Sequence, residues 1–179
     1  GGGEGREGGG GGAGRGGSGV CGAGAWGGGG AGAATGRGGG RAGHSCEAGS
    51  VAAQQAPCPA GTSRTATGGA GARDCDGVCA PGHYCGAGSS SATQTPCPAG
   101  TFRNHTGGAG VQDCDGVCQA GRWCGAGSAA EAPCPAGTFR NQTGGASAED
   151  CDGVCAPGHW CGAGSVAATG AGVCAAGRY

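Results

Sequence analysis

Residues 97–124 read Cys97-Pro98-Ala99-Gly100-Thr101-Phe102-Arg103-Asn104-His105-Thr106-Gly107-Gly108-Ala109-Gly110-Val111-Gln112-Asp113-Cys114-Asp115-Gly116-Val117-Cys118-Gln119-Ala120-Gly121-Arg122-Trp123-Cys124. The same pattern opens at Cys58 and again at Cys134, 39 residues before and 37 residues after Cys97. Each unit holds four cysteines separated by 16, 3 and 5 residues: Cys58, Cys75, Cys79 and Cys85; Cys97, Cys114, Cys118 and Cys124; Cys134, Cys151, Cys155 and Cys161. A fixed period of this length is the mark of a repeat architecture, in which one short supersecondary unit is used in series.

The edges of the chain carry pieces of the same unit. Cys174-Ala175-Ala176-Gly177-Arg178-Tyr179 matches the opening of a repeat. Upstream, Gly43-His44-Ser45-Cys46 matches Gly82-His83-Tyr84-Cys85, and Cys21-Gly22-Ala23-Gly24-Ala25-Trp26 matches the run from Cys97 to Phe102. The reading divides the chain into a Gly-rich partial repeat or unidentified segment (1–19), a degraded repeat (20–57), three full repeats (58–96, 97–133 and 134–173) and the start of a truncated one (174–179). Half of the glycines, 26 of 52, lie within residues 1–57. Two accounts fit that excess. One is a flexible Gly-rich segment. The other is glycine written where the residue is not identified. The second predicts that Gly40 lies at bridging distance from Cys46, and a glycine near 36–38 opposite Cys21.

Composition explains why the unit needs its cysteines. The chain has 179 residues and 15 cysteines, and it lacks Leu, Ile, Met and Lys altogether. Ordering a residue costs roughly 1–2 kcal/mol of backbone entropy. Large aliphatic side chains normally offset this at about 25 cal/mol per Å² buried. With so few of them, a conventional core is excluded and disulfides must hold the fold. Such a chain belongs in an oxidising compartment. The net charge of −1 gives no basic surface for nucleic acid. No stretch approaches the length of a membrane-spanning helix. The first twelve residues lack the apolar stretch of a signal peptide, as expected of a mature or excised piece.

Within one unit, Thr101–Asn104 reads as a short strand, Thr106–Gly110 as a turn, and Val111–Cys114 as the returning strand. Bridging Cys97 to Cys114 would close such a hairpin. The same reading pairs Cys58 with Cys75 and Cys134 with Cys151. It leaves Cys79 with Cys85, Cys118 with Cys124 and Cys155 with Cys161. Four cysteines admit three connectivities, and the spacing alone does not choose among them. The fold class expected is an elongated array of small disulfide-rich units with short β-hairpins and loops, and little or no helix. The rings of Phe102, Phe139, Tyr84, Trp123 and Trp160 are available to stack on a neighbouring unit or to cover disulfides. Arg64, Arg103 and Arg140 are available to lie over them.

Few motifs carry chemistry. Asn104-His105-Thr106 and Asn141-Gln142-Thr143 are N-glycosylation sequons at equivalent positions beside the turn. Thr65 takes the Asn place in the first full unit. The serines and threonines between Ser89 and Thr95 are weak candidates for O-linked sugars. Asp74-Cys75-Asp76-Gly77 and its copies lack the further ligands of a calcium loop and fit a side-chain-to-backbone turn better. Cys79, His83 and Cys85 have the right chemistry for zinc. However, Arg122 occupies the His83 place in the next unit, so no metal site is expected. No nucleophile–base arrangement is visible, and no catalytic or cofactor-binding residue is assigned.

The carrying residues Cys97-Pro98-Ala99-Gly100-Thr101-Phe102, Gly107-Gly108, Asp113-Cys114 and Cys118–Cys124 resemble the ephrin-receptor-like Cys-rich repeat, also called the GCC2/GCC3 repeat. That repeat is itself distantly similar to EGF-like and tumour-necrosis-factor-receptor modules. The resemblance covers residues 57–179 well and 20–56 poorly. It is similar to arrays in secreted and surface proteins of green algae and protists, including mastigoneme proteins of flagellar hairs. It implies an extracellular or cell-surface structural glycoprotein, a filament subunit or segment, with self-association or a related filament protein as partner. The alternative implied is the Cys-rich stalk of a surface receptor or adhesin. Neither reading involves an enzyme, nucleic acid, or insertion of this segment into a membrane.

Overall fold

The computed structural model describes residues 41–46, 56–69 and 71–176. Among the described residues, fourteen two-residue strands pair into seven antiparallel hairpins. In chain order they are β1 (His44–Ser45) with β2 (Ala56–Pro57), and β3 (Thr62–Ser63) with β4 (Gly77–Val78). Next come β5 (His83–Tyr84) with β6 (Thr95–Pro96), and β7 (Thr101–Phe102) with β8 (Gly116–Val117). The series ends with β9 (Arg122–Trp123) and β10 (Ala132–Pro133), β11 (Thr138–Phe139) and β12 (Gly153–Val154), and β13 (His159–Trp160) and β14 (Gly172–Val173). Each full repeat therefore contains two hairpins, one opened by Cys-Pro-Ala-Gly-Thr and one whose first strand lies inside the short cysteine loop.

The Cys-Pro-Ala-Gly-Thr run is a turn that aims the chain into a strand. The Thr101 N–H donates to the Pro98 carbonyl at 3.2 Å, and Gly100 has φ +86°. That is the arrangement of a type II turn, whose third residue needs a positive φ and hence glycine. The second hairpin of a unit begins the same way: His83 donates to Ala80, with Pro81 and Gly82 between them and Gly82 at φ +77°.

Each hairpin is tied to the next along the chain. Gly82 N–H reaches the Arg103 carbonyl and Cys85 N–H reaches Gly108, both at 2.8 Å. Gly100 N–H reaches Cys124 at 2.8 Å, and Arg103 N–H reaches Ser128 at 3.2 Å. Hairpins of the same kind in successive units also touch. A Cβ on Gly82 would stand 2.1 Å from the Gly127 carbonyl oxygen, and one on Gly61 would stand 2.7 Å from that of Gly107. Among the described residues, backbone hydrogen bonds outside the strand ladders reach no further than from Gly88 to Cys58 and its equivalents, 30 residues apart. The array is thus quasi-one-dimensional, each unit resting on its neighbours.

Among the described residues, every buried apolar side chain is a cysteine. Six bridges supply all of that core but Cys46, with Cys155 half-buried: Cys58–Cys75, Cys79–Cys85, Cys97–Cys114, Cys118–Cys124, Cys134–Cys151 and Cys155–Cys161. Their Cα separations run from 5.6 to 6.1 Å. On a chain-entropy account the long loops are worth about 3 kcal/mol each and the short ones about 2. Phe102 and Phe139 lie across their own hairpins on the paired glycines Gly116 and Gly153, where a Cβ would come within 2.7 and 2.6 Å of the rings.

Three sequence expectations change. The returning strand is Gly116–Val117, beyond Cys114, and Val111–Asp113 coil into a single 3₁₀ turn. The Asp113 carboxylate accepts the N–H groups of Ala109 and Gly110, and such a local acceptor favours a turn over a strand. Cys114 therefore lies within the hairpin loop, and its bridge pins the loop back onto the turn before β7. Second, the region after Cys79 is a hairpin in its own right, β5 with β6, where the sequence reading had only a disulfide loop. Third, the guanidinium groups of Arg64, Arg103 and Arg140 bond backbone carbonyls, as described next. The expectations for residues 1–40, including Gly40 against Cys46 and the partner of Cys21, lie outside the described residues.

Candidate functional site

The feature that recurs with full chemistry in each repeat is the tip of its first hairpin. In the second full unit, Arg103 Nη1 donates to the Asp113 carbonyl at 2.7 Å and Nη2 to the Thr106 carbonyl at 3.0 Å. Arg140 makes the same pair of bonds to Asp150 at 2.7 Å and Thr143 at 3.4 Å. Arg64 reaches the carbonyls of Asp74 and Thr67. One planar donor group thus fixes both ends of a loop, which suits the rigid fork of Arg and not the point charge of Lys. The stem of Arg103 lies over Gly108, where a Cβ would stand 2.9 Å from Nε. A side chain there would displace the clamp.

The carboxylates complete the loop. Asp113 Oδ2 accepts from Ala109 at 2.6 Å and Gly110 at 3.1 Å, and Asp150 does the same with Ala146 and Ser147. These backbone N–H groups, Ala109 and Ala146 foremost, hold the two carboxyls below the usual carboxylate range. A group whose folded pKa is depressed contributes stability above its unfolded pKa and loses it as pH falls through the folded one. Acid should therefore loosen these tips only below the ordinary carboxylate range near 3.9. The Asp113 carboxyl, followed by NMR, is expected to titrate below that range in the folded chain and at it in the unfolded chain. A normal folded midpoint would show that the N–H contacts are absent in solution.

Asn104 and Asn141 stand exposed beside their clamping arginines, with Thr106 and Thr143 exposed as well. Thr65 occupies the same exposed place in the first full unit. The sulfurs of Cys79 and Cys85 are joined to each other, so this pair offers no thiolate to a metal. His83 sits between them with Nδ1 3.1 Å from the Pro81 carbonyl. Among the described residues no group of three or more metal-ligating side chains gathers. No helix of the described residues is long and apolar enough to cross a membrane.

One working residue escaped the sequence reading. In the units with longer second loops, Ala80 and Ala156 donate N–H groups to Ala92 and Ala168 at 2.8 and 2.7 Å. The middle unit has a shorter gap, and there Gln119 N–H donates at 2.5 Å to the Glu131 carboxylate, which also stands 3.7 Å from Arg122 Nε. A side-chain oxygen replaces a backbone carbonyl that the shorter loop no longer supplies. The signal was present as the 37-residue period in place of 39.

No family profile matches the chain, and no curated protein matches it.

Proposed function

We propose that this chain is a segment of an extracellular structural glycoprotein, a filament of the mastigoneme-like kind, and that it has no catalytic role. The observation that carries this reading is the core itself, built from half-cystines in hairpins that rest only on their neighbours. A disulfide-built fold persists in an oxidising compartment. Hairpins in series give a rod whose length scales with the number of units. Sequons on exposed loop tips at equivalent places would line one edge of that rod with sugar. The resemblance to the ephrin-receptor-like repeat adds to this reading through the residues that carry it.

The test is direct. Protein recovered from its native source should carry one N-glycan at Asn104 and one at Asn141, with none at Thr65. Enzymatic release should convert both asparagines to aspartates, a change read by peptide mass. Asn104→Gln and Asn141→Gln should each remove one glycan's mass from the intact protein, while Thr65→Ala changes nothing. Bare asparagines on protein carrying reduced thiols would place the chain in the cytosol and end this proposal.

A further inference from the structure

In each hairpin of the first two full repeats, one strand lies inside a bridged loop and the other lies between bridges. β3 falls within the loop closed by Cys58–Cys75, and its partner β4 falls between Cys75 and Cys79. β5 falls within the loop closed by Cys79–Cys85, and its partner β6 falls between Cys85 and Cys97. In the middle repeat β7 and β9 are inside loops, and β8 and β10 are outside them. A pull along the chain crosses each cystine and bypasses the loop it closes. The bridges span 17 and 6 of the 39 residue steps from Cys58 to Cys97, which leaves 16 to carry tension. The hairpin tips are built entirely from load-free chain. Asn104, the 3₁₀ turn and the Arg103 bonds to Thr106 and Asp113 all lie between Cys97 and Cys114.

Loaded and load-free strands are joined mainly by backbone hydrogen bonds, such as Cys79 N–H to Gly61 at 3.0 Å and Cys97 N–H to Gly82 at 2.8 Å. In the middle repeat the Glu131 carboxylate adds one more, from the loaded segment to the N–H of Gln119 inside the short loop. Among the described residues no buried aliphatic side chain backs these bonds. We propose that the repeat is a tension link with a built-in stop. When pulled, the strands between bridges peel from partners that the cystines hold in place. The chain then lengthens to a fixed limit and re-pairs when the load falls. Fully extended, a 39-residue repeat reaches about 65 Å with its bridges and about 130–140 Å without them. Re-pairing has only short hairpins to close, on the order of 1–10 μs each. The sequon-bearing tips stay folded throughout. This role rests on the filament reading and adds how such a filament answers load.

Stretching single molecules of the full chain by its two ends tests this. Five glycines inserted between Gly107 and Gly108, inside a bridged loop, should leave the fully extended length of the unreduced chain unchanged. They should show only once reductant is added. Five glycines inserted between Ala129 and Ala130, in a loaded segment, should add about 17 Å at once. Cys97→Ala with Cys114→Ala should add about 50 Å, because it returns 17 steps to the loaded path. These lengths belong to the extended chain and do not require a variant to refold. The unreduced parent chain should retrace its stretching curve on relaxation over many cycles, and the reduced chain should not. An unreduced chain lengthened equally by both insertions overturns the inference, as does a parent chain that fails to retrace. Either failure in a protein whose native form is found glycosylated in extracellular filaments overturns the tension link alone and leaves the filament reading standing.

Discussion

A chain carrying Cys97→Ala and Cys114→Ala is expected to lose the fold of its middle repeat while the outer units stay formed. Both cysteines are buried, Cys97 completely, and among the described residues no apolar side chain other than cysteine is buried. Removing the cross-link frees a long loop in the unfolded state, worth about 3 kcal/mol, and losses on removing a native bridge from a small domain run about 2–5 kcal/mol. The first hairpin of the unit then keeps only the Arg103 clamp and its backbone bonds, and the loss is enough to open it. Hydrogen exchange would show it as lost protection at Gly100, Gly107 and Cys118, whose N–H groups bond across this region. The loss should spread only to neighbouring amides whose acceptors lie in this repeat, such as Gly82 and Cys85, which bond the Arg103 and Gly108 carbonyls, and Gly144, which bonds that of Cys118. Unchanged protection at Gly107 would mean that something besides the half-cystines holds the unit. Single replacement of Cys97 should be worse in practice, since Cys114 is then a free thiol able to exchange with other bridges.

Gly82→Ala should destabilise the array far more than Gly86→Ala, though the two glycines are four residues apart. Gly82 has φ +77°, and a Cβ there would stand 2.1 Å from the Gly127 carbonyl oxygen. The left-handed conformation costs a non-glycine residue roughly 1–2 kcal/mol. Forcing a packed backbone apart adds about 1–3 kcal/mol. Gly86 has no positive φ, and a Cβ there would meet nothing within 4 Å. Its replacement should change stability by less than about 1 kcal/mol, with a gain as reasonable as a loss. Thermal unfolding of the two variants beside the parent chain gives the comparison. Equal losses would show that units do not pack through Gly82.

These two experiments probe different links that the sequence exposed unequally. The repeat and its cysteines were plain, because a core of half-cystines leaves its spacing in the primary structure. The turn at Thr106–Gly110 was also legible in kind, since the positive φ of Gly107 has a steric cause; the turn at Pro98–Thr101 was not read. The returning strand was misplaced. Val111-Gln112-Asp113 has the local composition of a strand, and only the reach of the Asp113 carboxylate back to Ala109 and Gly110 turns it into a 3₁₀ turn. The second hairpin was hidden because its strands are two residues long and include Pro96, which offers no alternation to read. The arginine column was visible as a column but not in its role. Its acceptors are backbone carbonyls three and ten residues away, and carbonyls leave no mark on a sequence. Glu131 was hidden for the same reason, since it stands in for a carbonyl.

Disulfide mapping of the intact, unreduced chain by mass spectrometry tests the central claim, that cystine-clasped hairpins in series are the fold. Digestion between Cys114 and Cys118, with thiols blocked at acid pH to prevent exchange, should release one peptide pair joined through Cys97 and Cys114. A separate peptide should be closed internally through Cys118 and Cys124. The same two products are expected from the units opened by Cys58 and Cys134. Peptides joining Cys97 to Cys118 or Cys114 to Cys124, or unbridged thiols among these twelve cysteines, would contradict the account.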